Sequence, residues 1–334
     1  MTNTFNLPIS NYRFFYQSEA DVAYDNTPEF IWRGAFGLAL REVACTMGQS
    51  VCDGCPLRGS CAYSTLFENY PHPFRKNRYD HSAPKPYIIS VWHTGEASDD
   101  LEVNVILVGD ANRYYPYVQE AMKRVGEKGI GKARQPLRLK RVIQELPNGL
   151  SDTLYAHTHT DQEGNFSDWG PVHRIEAFKP ETLEISPLPP FIRLTLHTPV
   201  RLKTTTQEAH HNIRLNQLLI SIVRRTADLA QYWHQPLEAV GERIREAKNV
   251  TALDQKHDWQ SQSRFSSRQR KTIFMGGALG HFDLELSQYP LLWPWLWAGQ
   301  WLHVGKGAAM GSGRYSLTGA SDYRALLEPV SEVG

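Results

Sequence analysis

Apolar and polar positions along this chain alternate with two distinct periods. Phe36, Ala39, Leu40 and Val43 recur at i, i+3, i+4 and i+7, which predicts a helix over Arg33 to Cys45. Leu215, Leu218, Leu219, Ile222, Val223, Leu229, Ala230 and Trp233 draw one apolar stripe along a second, longer helix. Tyr114 to Gly126 reads as a third. Period-two or continuous apolar runs mark strands at Tyr12 to Gln17, Leu101 to Gly109, Leu137 to Glu145 and Phe191 to Thr198. Another centres on Phe282, Leu284 and Leu286, and a last one follows Arg314. Ile185 to Pro190 carries three prolines in six residues and reads as a stiff linker. The first half gives β-α-β-β-α-β with insertions. The second gives strand, long helix, strands, short helix, strand. The expected fold is therefore α+β: two tandem ferredoxin-like domains, residues 1–188 and 189–334.

Composition changes this picture little. The chain has 334 residues, 41% hydrophobic and 21% charged, which suits a soluble globular protein with a substantial core. Its N-terminus shows no basic segment followed by an apolar run, so the expectation is a cytoplasmic protein with no membrane partner. The apolar stretch Pro290 to Trp301 is too short and too broken by proline to span a bilayer. Net charge is only +1, but its distribution is uneven. Residues 123–141 hold eight Lys or Arg against one acid, and residues 264–272 hold four against none. Local basic patches on a near-neutral chain suit a grip on one defined phosphate backbone.

The densest chemical signal is His303 to Tyr315, HVGKGAAMGSGRY. Gly305, Gly307, Gly311 and Gly313 share it with Lys306 and Arg314, and it contains no acid. Glycines allow successive main-chain N–H groups to form an anion-binding concavity, and the cations add charge. A Walker loop would need Ser or Thr after Gly-Lys, but Gly307 stands there. A dinucleotide fingerprint would open a helix, whereas a strand is expected here. The phosphate therefore belongs to something other than those two nucleotide sites, or the segment is a glycine-rich turn without a ligand.

All four cysteines fall within seventeen residues: Cys45, Cys52, Cys55 and Cys61. Four clustered thiols with one C-x2-C pair favour metal over disulfides in a reducing compartment. A closed set of four thiolates suits structural zinc first and an iron–sulfur cluster second. A thiol cluster without metal is the third possibility.

Five stretches together resemble the RAMP superfamily, and within it the CRISPR-associated endoribonucleases that mature CRISPR RNA, in a subfamily with an N-terminal cysteine knuckle. They are Arg33-Gly34-Ala35, the run from Cys52 to Phe67, and Thr198-Pro199-Val200-Arg201-Leu202-Lys203. The last two are the run from Arg264 to Gly280 and the terminal glycine loop. The resemblance implies a protein that binds CRISPR repeat RNA and cleaves its precursor without metal in the chemical step. A 2′-hydroxyl attacks the adjacent phosphorus and leaves a 2′,3′-cyclic phosphate and a 5′-hydroxyl. Other CRISPR effector or adaptation proteins are implied partners. Such a reaction needs a base, a cation and an acid, because the nucleophile is already tethered. Many such enzymes carry a histidine near the first helix, yet this chain has none before His72. The catalytic candidates are His303, Lys306, His281, His72 and Tyr24. The expected RNA-binding set is Arg264, Arg268, Gln269, Arg270, Lys271, Gly305, Lys306, Gly307, Gly311, Gly313 and Arg314. Two rival readings remain: a CRISPR RNA-holding subunit that does not cut, and an iron–sulfur redox or sensor protein.

Overall fold

The computed structural model describes residues 6–20, 22–24, 27–49, 51–68, 83–92, 100–145, 150–157, 168–169, 187–202, 213–261, 263–266, 271–274 and 276–327. The chain forms two compact units. The first comprises Leu7–Thr182 with Asp228–Pro236, and the second Met1–Asn6, Leu183–Ala227 and Leu237–Gly334.

In the first unit β1 (Ile9–Gln17) leads to α1 (Pro28–Ala44), β2 (Tyr87–Trp92), β3 (Asp100–Val108), α2 (Tyr115–Lys128) and β4 (Arg138–Glu145). A hairpin of β5 (Ser151–His157) and β6 (Asp168–Trp169) extends the edge. The sheet is antiparallel in the order β2-β3-β1-β4-β5-β6. Its first four strands have the ferredoxin-like order. Helix α1 starts at Pro28, ahead of the predicted start at Arg33. Thr27-Pro28-Glu29 opens it, with proline at the first helical position, where a missing N–H costs nothing. Alternate residues of β1 then meet the helices. Tyr12 stacks on Tyr115 with 4.3 Å between ring centroids, and Tyr16 packs on Trp32 at 5.1 Å. Burial holds both phenols above the ordinary tyrosine range.

The other face of β1 is polar yet enclosed. Arg13 donates from Nε and Nη2 to the two oxygens of Glu102, at 2.5 and 2.7 Å. Glu102 is 1% exposed. Asn11 donates to Glu145, and Arg141 lies over the Phe15 ring.

The second unit repeats the plan. β7 (Phe191–Val200) is followed by α3 (Leu215–Trp233), whose last residues from Asp228 group with the first unit, then by α4 (Val240–Asn249) and β8 (Asp254–Gln260). A two-stranded hairpin, β9 (Ser263–Ser266) and β10 (Lys271–Phe274), precedes β11 (Gly277–Leu284). Helix α5 (Trp293–Leu302) and β12 (Tyr315–Ala320) complete it, before a short α6 (Arg324–Leu327). The sheet order β12-β7-β11-β8 is again ferredoxin-like and antiparallel. Ile192, Leu194, Leu196, Phe282 and Leu284 are buried. On the helix side Gly299 of α5 lies against Tyr315 and Ile222. The Tyr315 hydroxyl donates to the Leu296 carbonyl at 2.6 Å. Arg193 of β7 clasps Asp283 of β11 through two bonds of 2.7 Å, and Asp283 is fully buried.

Strands β2, β5, β6, β8, β9 and β10 were not among those read from periodicity. β8, DQKHDWQ, is almost entirely exposed and polar, so it has no apolar alternation to detect. Among the described residues no helix is long and apolar enough to cross a membrane.

Removing one partner of a buried ion pair leaves an uncompensated charge, at a cost of about 3–5 kcal/mol. Arg13→Ala should therefore destabilise by about 3 kcal/mol. Chemical denaturation followed by near-UV circular dichroism checks this, and a shift under about 1 kcal/mol would show that Glu102 is adequately solvated.

Candidate functional site

Helix α5 ends at His303, which has φ of 54°, an unusual conformation for a residue with a side chain. The chain then turns back to run beside the end of β7. Val304 N–H donates to Gly313 O at 2.9 Å, and Lys306 N–H to Arg201 O at 2.8 Å. Gly313 N–H donates to Pro199 O at 3.1 Å. The Thr198 hydroxyl donates to Gly311 O at 2.7 Å and accepts from Arg314 N–H at 2.8 Å. Gly313 must be glycine: its φ is 75°, and a Cβ there would collide with the Val304 carbonyl. At Gly305 a Cβ would lie 2.6 Å from Arg201 O.

This seating leaves one part of the loop unspent. A tight turn joins Met310 N–H to Gly307 O at 2.7 Å, and Gly307 opens it with φ of 86°. Among the described residues, the N–H groups of Gly307, Ala308 and Ala309 find no backbone acceptor. Lys306 beside them is exposed. Three consecutive free donors and an ammonium make a concavity suited to an anion.

His303 lies on the other side of this arrangement. It is 2% exposed, and its Nδ1 meets Ser312 O at 3.2 Å. Burial, with Arg225 and Arg314 nearby, pulls its pKa down to about 3. The expectation of a catalytic His303 meets a physical obstacle here. A neutral, enclosed ring braces the loop rather than presenting a proton acceptor to a ligand.

The other candidates are dispersed. His281 lies on β11, on the sheet face opposite the helices, with Nε2 3.9 Å from Asp254 Oδ2. It shares a cross-strand row with Lys256, Thr195 and Ser316. Asp254, His281 and Asp283 have ligand atoms within 4.8 Å of one another. Arg193 already holds both oxygens of Asp283, which satisfies that carboxylate without a cation. Tyr24 is mostly buried and accepts a hydrogen bond from Trp32 Nε1 at 3.1 Å, and burial raises its pKa. His72, Arg268, Gln269 and Arg270 lie outside the described residues. Arg264 and Lys271 fall on the paired strands β9 and β10, a hairpin separate from the glycine loop.

One residue that the sequence did not single out stands beside the loop. His197 of β7 is exposed, and its Nε2 lies 2.7 Å from Ser316 Oγ. Its backbone N–H donates to Arg314 O. Partial burial, then Arg314, lowers its pKa. A histidine kept neutral next to a cation is suited to accept a proton at neutral pH. Its signal in the sequence was its place just before Thr198-Pro199, where the loop docks.

The cysteines converge in the first unit. Cys45 terminates α1, its N–H bonded to Arg41 O. Cys55, Arg58 and Cys61 close successive turns onto Cys52, Cys55 and Leu57. All four cysteines line one small pocket with Met47, Val51, Leu57 and Tyr63. Ser64 N–H donates to Cys61 Sγ at 3.4 Å, the kind of bond that supports a thiolate ligand. Burial, Glu68 and the neighbouring thiols push Cys52 up to about 11. The donor set fits an ion held by four thiolates.

Each of the two units is thus a ferredoxin-like fold, and the second is closed by a glycine-rich loop. Comparison with known proteins narrows the class. Residues 194–315, from β7 to the end of the loop, match the family model described as CRISPR-associated endoribonuclease Cas6. Residues 7–165 match a model described as an N-terminal domain. No curated protein matches the chain. Solved structures with the same fold include a Cas6 product complex, 14% identical with a TM-score of 0.55, covering 93% of this chain and 99% of that one. Thermus thermophilus Cas6 gives 14%, 0.51, 93% and 99%. A partial Cas6-RT-Cas1–Cas2 complex gives 14% and 0.50, covering 95% of this chain and 47% of the other.

A histidine whose folded pKa is depressed binds its proton more weakly than in the unfolded chain. The unfolded state therefore gains protons first as pH falls below about 6.5, and stability drops between there and about pH 3. The slope from His303 is at most about 1.4 kcal/mol per pH unit. Thermal melts at about pH 7 and about pH 5 should show a loss that His303→Gln reduces. Equal pH sensitivity in both proteins would rule out His303 as its source.

Proposed function

We propose that this protein is a Cas6-type endoribonuclease that binds CRISPR repeat RNA and cuts its precursor, with domains dividing near residue 188. The observation that carries the reading is the seated glycine loop. Among the described residues it has three consecutive N–H groups without a backbone acceptor, beside an exposed Lys306, inside the segment that matches the Cas6 model. Its backbone donors would hold a phosphate's non-bridging oxygens, and Lys306 would offset the charge that grows on phosphorus.

The reaction forms a bond from the 2′-oxygen to phosphorus and breaks the bond to the 5′-oxygen. A base takes the 2′-hydroxyl proton and an acid returns one to the leaving oxygen. In this reading His197 acts as base, and His281, in the adjacent row, as the second proton-transfer group. Neither step calls for a metal. Arg264, Arg268, Gln269, Arg270 and Lys271 are the proposed RNA contacts outside the loop. Partner CRISPR proteins are part of the reading, since a fold neighbour is described as a complex with Cas1 and Cas2.

The test is cleavage of labelled repeat RNA in EDTA, beside a substrate carrying one 2′-deoxy sugar at the cut. Cutting should persist in EDTA and vanish with the deoxy sugar. His197→Ala should slow cleavage about 10²-fold or more with binding retained, and Lys306→Ala should weaken both. Tight binding without cutting would favour an RNA-holding subunit, a reading consistent with an α1 that carries no histidine. Absence of both would sink the proposal.

The cysteine pocket is proposed to hold a structural zinc ion, which would tie the end of α1 to the turns after it. Metal analysis should find about one zinc per chain. Cys52→Ser should lose that metal and lower the melting temperature. Iron with visible absorbance would replace zinc with a cluster.

A further inference from the structure

Both units return from their second helix to their fourth strand, and the glycine loop occupies that return in the second unit. The first unit's return is the hairpin between α2 and β4, residues 129–135, and it is built on the same turn. Gly131 has φ of 76°, as Gly307 has 86°. Arg134 N–H closes onto Gly131 O at 3.3 Å, as Met310 N–H closes onto Gly307 O. Among the described residues, the three at the tip of each turn keep their N–H groups free of backbone bonds. They are Gly131, Lys132 and Ala133 in one, and Gly307, Ala308 and Ala309 in the other.

The first-unit hairpin is also anchored. Ile130 and Gln135 exchange two bonds of 2.9 Å, and Gly131 lies so close to the Ala23 carbonyl that a Cβ would sit 2.5 Å from it. Lys132 and Arg134 are exposed, and among the described residues neither is paired with an acid. Arg134 holds φ of 52°, a costly conformation that turns its backbone to close the tip.

We infer that the hairpin 129–135 is a second phosphate-holding loop, the first unit's counterpart of the glycine loop, and that it grips the RNA backbone through Gly131–Ala133 N–H groups, Lys132 and Arg134. The inference rests on the RNA reading above and extends it to a site in the basic stretch 123–141 that the cleavage chemistry does not use. Backbone contacts of this kind carry no base preference, so the loop adds affinity rather than sequence choice.

The experiment is fluorescence anisotropy with labelled repeat RNA at several salt concentrations. The variant is Lys132→Ala with Arg134→Gly, glycine being chosen because it keeps the positive φ. A second variant, Arg245→Ala with Lys248→Ala, removes two exposed cations from α4. The hairpin variant should bind roughly tenfold more weakly, with a salt slope about 1.4 smaller, for two phosphate contacts on a single strand. It should melt like the unmodified protein and still cleave saturating RNA. Unchanged affinity, an unchanged salt slope, or an equal loss in the α4 variant would each overturn the loop's role. If the unmodified protein binds no RNA at all, the RNA reading itself fails and the loop's role falls with it. Binding by the unmodified protein separates the two cases.

Discussion

Everything the second unit offers to an anion depends on seating one chain return against the end of β7. Five hydrogen bonds join the loop to Val304, Pro199, Arg201 and the Thr198 hydroxyl. Each contributes only about 0.5–1.5 kcal/mol net, but they act as a unit on a segment that would otherwise lose too much entropy to stay ordered. Glycine is required where the two backbones touch, because any Cβ at Gly313 would fill the space of the Val304 carbonyl. His303 completes the seat from inside. Its neutrality follows from burial beside two arginines, and a charged ring there would oppose the loop's closure.

A second constraint recurs in both units. Arg13 of β1 holds Glu102 of β3, and Arg193 of β7 holds Asp283 of β11. In each case the first strand supplies the arginine and the third supplies a carboxylate with almost no exposure. Both pairs lie on the sheet face away from the helices. Charges so enclosed gain little over apolar residues of like volume. They specify geometry instead, because a one-residue slip in register would separate the fork from its carboxylate. The repetition of this pair at equivalent strands, together with the repeated glycine turn, marks the two units as variations of one plan.

Much of that plan was legible in the sequence. Strands with a clean apolar face, such as β3 and β7, and the striped helix α3 showed their periods directly. The fold class followed from their order. What stayed hidden has a common physical cause. β8 is polar and exposed, and β2 is buried on both faces, so neither shows an alternation to detect. The start of α1 is set by Thr27-Pro28-Glu29, which lies outside the apolar period. The glycine loop announced itself through composition, whereas the role of His303 did not. Sequence shows a histidine beside a glycine-rich run and cannot show which way the ring turns. His197 was missed for the converse reason. Its interest comes from Arg314 and Ser316, more than a hundred residues away and brought near only by the pairing of β7 with β12.

A site made of main-chain N–H groups recognises charge and curvature and has no means of reading bases. If such loops hold the RNA, choice of sequence must come from side chains elsewhere. The arginines and glutamine between β9 and β10 have the right functional groups, since arginine's fork matches guanine edges as well as phosphates. Holding and cutting are also separable. The loop can fix a phosphodiester in place, but in-line attack needs a proton acceptor near the 2′-hydroxyl, and the buried His303 is turned away from that task. On the proposed reading the chemistry would fall to the β7 and β11 face, where His197 and His281 stand within the same sheet that anchors the loop. In that proposed arrangement the rigid part of the fold would position the proton transfers, and the loop would position only the charge.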